Sequence, residues 1–166
     1  MSTYVLVHGA WHGGWCWRKL VPLLEAQGHR ITTPTLTGLG ERSHLAAGGV
    51  DLDTHVTDLV NHLAYEELAD VVLVAHSYAG FVALGMAVQR ATAIAHLVLL
   101  DGFVPLDGEA MADHIGERGA LYREEAARDP GWTFPPPPPG AFGVTEPQDV
   151  EWTEARLTEH PVMSYV

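Results

Sequence analysis

Ser77 stands where an apolar run meets a helical pattern with no loop between them. Residues 71–75 (Val-Val-Leu-Val-Ala) predict a buried strand, and residues 78–90 predict a helix. A turn this tight strains the backbone of its central residue, so the residues two before and two after it must be small. Ala75 and Ala79 meet that requirement in place of the more usual glycines. The spacing therefore predicts a nucleophile elbow carrying Ser77, against the simpler alternative of a serine that only caps a helix.

A nucleophilic serine also needs hydrogen-bond donors for the negative charge that develops on the attacked oxygen. The backbone N–H of Tyr78, at the positive end of its predicted helix, can supply one. The second is expected from the His8-Gly9-Ala10 segment after the first predicted strand. The lack of bulk at Gly9 lets this loop approach Ser77 with the N–H of Ala10 directed inward. The alternative is that this segment is only a flexible connector.

Strand and helix patterns alternate through the part of the chain that contains these segments. Four apolar runs predict strands at 3–7, 29–33, 71–75 and 95–100. Helices are predicted at 17–27, from an N-cap at Thr54 to about 69, and at 78–90, with a loop at 35–49. Alternation of this kind requires right-handed crossovers and parallel strands. The predicted class is α/β, with a doubly wound parallel sheet of about four strands.

The pattern changes after the fourth predicted strand. Short helical stretches at 108–128 precede five prolines at 135–139 and a polar helix from about 146 to 157, and no further core strand is visible. We therefore predict a core at 1–105 and a helical cap at 106–166. The prolines predict a stiff extended spacer, in preference to a ligand for a proline-binding domain.

Composition excludes several classes of protein. A chain of 166 residues with 47% hydrophobic residues predicts one domain with a core of its own. The net charge of −12 is concentrated in residues 101–166, which hold four Lys/Arg against thirteen Asp/Glu, so a nucleic-acid partner is not expected. The lone Cys16 predicts a small buried hydrophobe in a reducing compartment. The N-terminal sequence predicts neither a signal peptide nor a membrane span, which makes a cytoplasmic location the expectation.

Residues 5–17 (Val-Leu-Val-His-Gly-Ala-Trp-His-Gly-Gly-Trp-Cys-Trp) carry a specific resemblance. They resemble the opening of the α/β-hydrolase branch that contains plant methyl-ester esterases, hydroxynitrile lyases and many bacterial esterase-like hydrolases. The similarity continues through Gly28-His29, the predicted elbow and residues 99–105 (Leu-Leu-Asp-Gly-Phe-Val-Pro), so it covers residues 3–105. The resemblance implies the α/β-hydrolase fold and an esterase-type hydrolase.

The resemblance also implies roles for individual residues. Ser77 would be the nucleophile, and the N–H groups of Ala10 and Tyr78 would form the oxyanion hole. The lyases of this branch place a hydroxyl residue directly after the loop histidine, where this chain has Gly9, so cyanohydrin cleavage is disfavoured. Trp11, with His8 and Gly9, would line the substrate pocket, although a tryptophan packed beneath the cap is an equal alternative.

The partners that a serine nucleophile requires do not stand where the resemblance would place them. In this fold the chain order is serine, then an acid, then a histidine. Both partners follow later core strands in the family, so the chain resembles a truncated member whose last core strands are missing. Asp101, at the end of the fourth predicted strand, is a minor candidate for the acid.

None of the histidines present is an evident replacement for the base. The side chain of His76 diverges from that of its neighbour Ser77, and His8 and His12 are expected to hold the oxyanion loop. His114 and His160 lie in the predicted cap.

The sequence thus predicts an esterase that cleaves a small, largely apolar ester through an acyl-enzyme on Ser77, with no metal or cofactor and no membrane partner. Two alternatives stay open: a non-catalytic protein that binds a small ligand in the same pocket, and an inactive fragment. Missing strands would leave an exposed sheet edge, which invites association with a partner or with a second copy in a homodimer.

Overall fold

The computed structural model describes residues 1–46 and 48–166 of the chain. Its centre is a parallel sheet of four strands in the order β2-β1-β3-β4. The strands are β1 (Thr3–Val7), β2 (Arg30–Thr32), β3 (Val71–His76) and β4 (Ile94–Leu100). The four strands predicted from apolar runs are confirmed, as is the α/β class, and only β2 is shorter than predicted.

Three helices connect these strands, and their starts differ from the predictions. They are α1 (Val21–Glu25), α2 (Leu52–Tyr65) and α3 (Ala79–Arg90). The helix predicted at 17–27 is present but covers only Val21–Glu25. Pro22 fits only the first turn of a helix, so α1 starts just before it, and a separate 3-10 turn spans Gly14–Trp17. The N-cap prediction at Thr54 is wrong. Asp51 caps α2, its carboxylate accepting a hydrogen bond from the Thr54 N–H at 2.8 Å.

The strand order places a crevice beside β1. The chain moves outward from β1 to β2, then crosses back over β1 to β3 and continues to β4. With right-handed crossovers this reversal puts α1 on one face of the sheet and α2 and α3, which pack together, on the other. The carboxyl ends of β1 and β3 flank the point of reversal, where open α/β sheets form their binding sites.

The region predicted as a loop at 35–49 contains a 3-10 helix at Gly40–Leu45. No strand after residue 100 joins the main sheet in the described residues, as predicted. The C-terminal third instead holds α4 (Glu117–Arg128), β5 (Thr133–Phe134), α5 (Pro147–Glu154) and β6 (His160–Pro161), with β5 and β6 paired antiparallel. Two-residue strands are too short to produce an alternating pattern, which is why the sequence did not reveal them.

Aromatic rings join the C-terminal third to the sheet. Tyr165 stacks on Tyr78 with ring centroids 5.2 Å apart and meets Phe134 edge-on at 4.9 Å. All three rings are buried in one hydrophobic cluster with the central strands. The division into a core at 1–105 and a cap at 106–166 stays a prediction. Over the described part of the chain, no helix combines the length and the apolar character needed to cross a bilayer.

Candidate active site

Ser77 occupies a left-handed turn between β3 and α3. Its φ is 53°, a conformation that side chains other than glycine adopt at a cost. The turn is tied to the segment after β4, since the Ser77 N–H donates to the Leu100 carbonyl at 3.3 Å and the Ser77 carbonyl accepts from the Phe103 N–H at 3.2 Å. A Cβ on Gly80 would lie 2.1 Å from the Phe103 carbonyl oxygen, so only glycine fits there. The tight strand-to-helix turn predicted around Ser77 is present.

The loop after β1 passes directly against this turn. A Cβ on Gly9 would lie 3.1 Å from the Ser77 Cβ, which shows how little space separates the two segments. Ala10 and Tyr78 are both buried, and within the described residues neither of their backbone N–H groups donates a hydrogen bond. Buried amide donors are nearly always paired, so two free ones beside a serine suit a negatively charged oxygen. Their role as an oxyanion hole stays a prediction.

His8 fixes the loop from beneath. Its ring is fully buried, Nδ1–H donates to the Gly9 carbonyl at 2.8 Å, and Nε2 accepts from the Leu36 N–H at 3.1 Å. Burial lowers the pKa of His8 from 6.5 to about 3, so the ring is neutral. With both nitrogens occupied, His8 fits the loop-holding role better than the predicted contact with substrate.

Trp11 is held at three points beside Ser77. Its backbone, with a φ of 62°, donates through the N–H to His160 Nδ1 at 3.3 Å. The indole Nε1–H donates to the Phe134 carbonyl at 3.3 Å, and the ring meets the Phe134 ring edge-on at 5.6 Å. Trp11 therefore forms a fixed part of the wall of the site. Its contact with substrate stays a prediction.

Two cavities meet at Ser77 and Trp11. The first, of about 290 Å³, is polar, and its other lining residues include Gly9, Ala10, His12, His76 and Asp101. The second, of about 310 Å³, is largely apolar, and its other lining residues are Phe103, Met111, Ile115, Arg118, Tyr122 and Tyr165. A molecule with its reactive carbon at Ser77 could thus place one part in each cavity.

The structure brings two histidines to the polar cavity without a bond from either to the serine. Within the described residues, Ser77 Oγ takes part in no hydrogen bond. His12 donates from Nδ1 to the Ala10 carbonyl at 2.7 Å, which leaves its Nε2 unprotonated and able to accept. Burial lowers the pKa of His76, and the Asp101 carboxylate opposes that shift. Both rings are thus neutral near pH 7.

The remaining candidate histidines are occupied elsewhere. His160 is fully buried, its Nε2–H donating to Ser164 Oγ at 2.8 Å while Nδ1 accepts from Trp11. Burial lowers its pKa well below 6.5. His114 contacts the Glu109 carboxylate at 3.0 Å, outside both cavities. Asp101, with a φ of 46°, does line the polar cavity, as its position at the end of β4 suggested.

Sequence reasoning missed a buried pair that holds Tyr78. The Tyr78 hydroxyl donates to His55 Nδ1 at 2.8 Å, and His55 Nε2–H donates to the Thr37 carbonyl at 2.8 Å. Burial raises the pKa of Tyr78 and lowers that of His55, so both are neutral. The pair anchors the residue whose N–H faces the serine. No local pattern could reveal it, because the two residues lie on different helical segments.

The strand order, the turn at Ser77 and the crevice beside β1 together define an α/β hydrolase. Residues 4–165 match the model of the family described as "Alpha/beta hydrolase family". The chain belongs to this family.

Two of the curated relatives are esterases by name. A carbendazim hydrolyzing esterase from Nocardioides sp. (strain SG-4G) is 50% identical over 111 residues, which are 67% of this chain and 46% of that protein. Methylesterase 1 from Arabidopsis thaliana is 38% identical over 135 residues, 74% of this chain and 48% of that protein. The chain thus spans about half the length of these relatives.

A solved structure agrees on the fold. An extracellular alpha/beta-hydrolase from a Paenibacillus species superposes with a TM-score of 0.83 at 23% identity, covering 100% of this chain and 71% of that one. At this identity the likeness establishes the fold alone. The predicted α/β-hydrolase fold is confirmed.

Proposed function

We propose that this chain provides the nucleophile of an esterase that cleaves a small, largely apolar carboxylic ester through an acyl-enzyme on Ser77. One observation carries the proposal: a serine in a left-handed turn lies beside two unpaired backbone donors, where two cavities meet. The named activities of the relatives support ester hydrolysis as the class of reaction.

The proposed reaction uses each part of this geometry. Ser77 Oγ attacks the ester carbonyl carbon and gives its proton to a base, and the N–H groups of Ala10 and Tyr78 hydrogen-bond the resulting oxyanion. The carbon–oxygen bond to the alcohol then breaks, and the alcohol leaves with the proton. Water adds to the acyl-enzyme by the same steps, which releases the acid and restores the serine.

The base must reach Ser77 from the polar cavity, since the second cavity is largely apolar. His12, whose Nε2 can accept a proton, and the Asp101 carboxylate both line this cavity. We propose that the base is either a histidine of this chain that turns toward Ser77 or one supplied to the cavity by further residues or a partner chain.

The test is the intact mass of the purified chain after exposure to a fluorophosphonate, which modifies an activated serine. We expect one adduct per chain, lost in Ser77→Ala and kept in Ser43→Ala, which alters an exposed serine far from the site in sequence. An adduct on the isolated chain would assign the base to this chain or to another copy of it. Well-folded protein that forms no adduct would contradict the proposal that this polypeptide acts as an esterase.

Binding without catalysis is the second candidate function. It is favoured by one observation, the lack of any hydrogen bond from Ser77 Oγ to a described histidine. In that case the apolar cavity would hold a small ligand that is not cleaved. Unchanged ligand recovered from the protein, together with no adduct, would favour this alternative.

A further inference from the structure

Among the described residues that line the apolar cavity, one carries a charged side chain. Arg118, in the first turn of α4, lines it together with apolar and aromatic residues such as Phe103, Met111 and Ile115. Ser77 lies in the wall of the same cavity. An arginine among apolar groups suits a ligand that is apolar along its length and negatively charged at one end.

Arg118 differs from the other arginines of its helix in having no partner. Arg123 contacts the Asp113 carboxylate at 2.7 Å, and Arg128 contacts Glu124 at 3.3 Å and Glu125 at 3.1 Å. In the described part of the chain, no carboxylate lies within 4.0 Å of the Arg118 guanidinium. Arg18, Arg90 and Arg156 also contact no carboxylate in the described part of the chain, but none of these three lines the apolar cavity.

The charge of Arg118 also acts on the wall of the cavity. Burial raises the pKa of the Tyr122 hydroxyl, and the positive charge of Arg118 opposes that shift. Tyr122 lines the same cavity. The guanidinium is therefore close enough to a lining side chain to interact with it electrostatically, and an anion in the cavity would feel the same charge.

We propose that Arg118 binds a carboxylate at the far end of the substrate, so that the substrate class is an ester whose apolar chain ends in a carboxylate. This inference rests on the proposed function, which places the ester group at Ser77. The planar guanidinium can pair with both oxygens of a carboxylate, a geometry that a neutral ester end cannot match. Monoesters of dicarboxylic acids are the simplest molecules of this class.

The experiment measures binding, which requires no nucleophile. Monomethyl succinate, adipate and suberate, and the corresponding dimethyl esters, are titrated calorimetrically into the Ser77→Ala chain at about 0.15 M salt, where long-range repulsion by the net charge is screened. We expect one chain length at which the monomethyl ester binds about fivefold more tightly than the dimethyl ester. A difference of this size is what a partly exposed ion pair contributes to binding. Adding Arg118→Gln should abolish the preference, so that the monomethyl and dimethyl esters bind with equal affinity.

Two further variants separate charge from other effects. Arg118→Lys keeps the charge without the planar fork and should retain part of the preference. Arg128→Gln removes the same charge from the same helix outside the cavity and should retain all of it. Equal affinity for the two esters at every length, no measurable binding of either, or a preference that survives Arg118→Gln would overturn the inference. Because fluorophosphonate labelling does not involve Arg118 and the binding assay does not need the Ser77 hydroxyl, failure of the proposed function is distinguishable from any of these results.

Discussion

Strands β3 and β4 are neighbours with similar sequences and different surroundings. Both are nearly continuous apolar runs, and each is followed directly by a residue other than glycine with positive φ, Ser77 at 53° and Asp101 at 46°. Alternate residues of β3 are fully buried between β1 and β4, whereas β4 pairs on one side only, and Leu100 is 47% exposed. An apolar run therefore predicts a strand, while the topology decides whether that strand is covered.

The exposed strand nevertheless holds the turn at Ser77 in place. Leu100 and Phe103, at and just after the end of β4, provide two of the backbone hydrogen bonds that hold Ser77. The carbonyl of Phe103 also fills the space beside Gly80. The geometry at the end of β3 thus depends on a strand with a free edge, and the predicted homodimer would be one way to cover that edge.

The histidines near the two strands differ in burial, which predicts a large effect of low pH on the free energy of unfolding. His8, His55 and His160 are fully buried near the turn at Ser77, and His96 on β4 is exposed. Burial lowers the pKa of His8 from 6.5 to about 3 and lowers those of the other two buried rings. Below about pH 6.5 the unfolded chain binds protons that the folded chain does not. The contribution of these neutral histidines to the free energy of unfolding is therefore fully present above that pH and decreases below it. For His8 the decrease is about 1.4 kcal/mol per pH unit, down to about pH 3.

Urea unfolding between about pH 7.5 and about pH 5 would measure this loss, because most carboxylates titrate below that range. The free energy of unfolding should decrease steadily as the pH is lowered. The variant His96→Gln should show the same dependence of this free energy on pH as the parent chain. A free energy that stays level over this range would mean that the buried histidines keep ordinary pKa values.

One substitution made in both strands tests how differently they are covered. Leu73 on β3 has no exposed surface, so Leu73→Ala should lower the free energy of unfolding by about 3 kcal/mol. Leu100→Ala, at the exposed end of β4, should cost less than about 1 kcal/mol. Urea unfolding measures both. Equal losses would show that Leu100 is covered in solution, and a concentration-dependent loss at Leu100 would identify a second copy as the cover.

The contact between the ends of the two strands can be broken at Gly80. A methyl group there would overlap the Phe103 carbonyl, so Gly80→Ala should destabilise the chain by about 2 to 3 kcal/mol and reduce fluorophosphonate labelling of Ser77. Gly140→Ala is the matched control, because open space surrounds that position, and it should change neither property. Full labelling and full stability in Gly80→Ala would show that the clamp on Ser77 is not needed.

Local patterns were sufficient to predict the strands and the turn at Ser77. Each depends on residues close together in the chain. The contacts of His160 and Tyr165 with Trp11 and Tyr78 join residues far apart in sequence, and no periodicity encodes them. Arg118 belongs to the same category, since its position in the cavity depends on how α4 packs and not on its neighbours in sequence.

The smallest predicted effect concerns the strain at the two positive-φ residues. Ser77→Ala and Ser77→Gly both remove the hydroxyl and differ only in the Cβ, which costs free energy at a φ of 53°. Ser77→Gly should therefore be more stable than Ser77→Ala by about 1 kcal/mol in urea unfolding. Asp101→Gly should likewise have a higher free energy of unfolding than Asp101→Ala. At Ser43, in a 3-10 helix, the alanine variant should be the more stable one, because glycine is the less favourable residue there.

These three pairs decide whether the left-handed turn is a shared property of the two strand ends. If alanine equals glycine in stability at Ser77 but not at Asp101, the chain relaxes at the end of β3 when the hydroxyl is absent, and the clamp from β4 does not impose the conformation. If glycine is preferred at both, the turn is built into the backbone, and the serine is held in its strained position before any substrate binds.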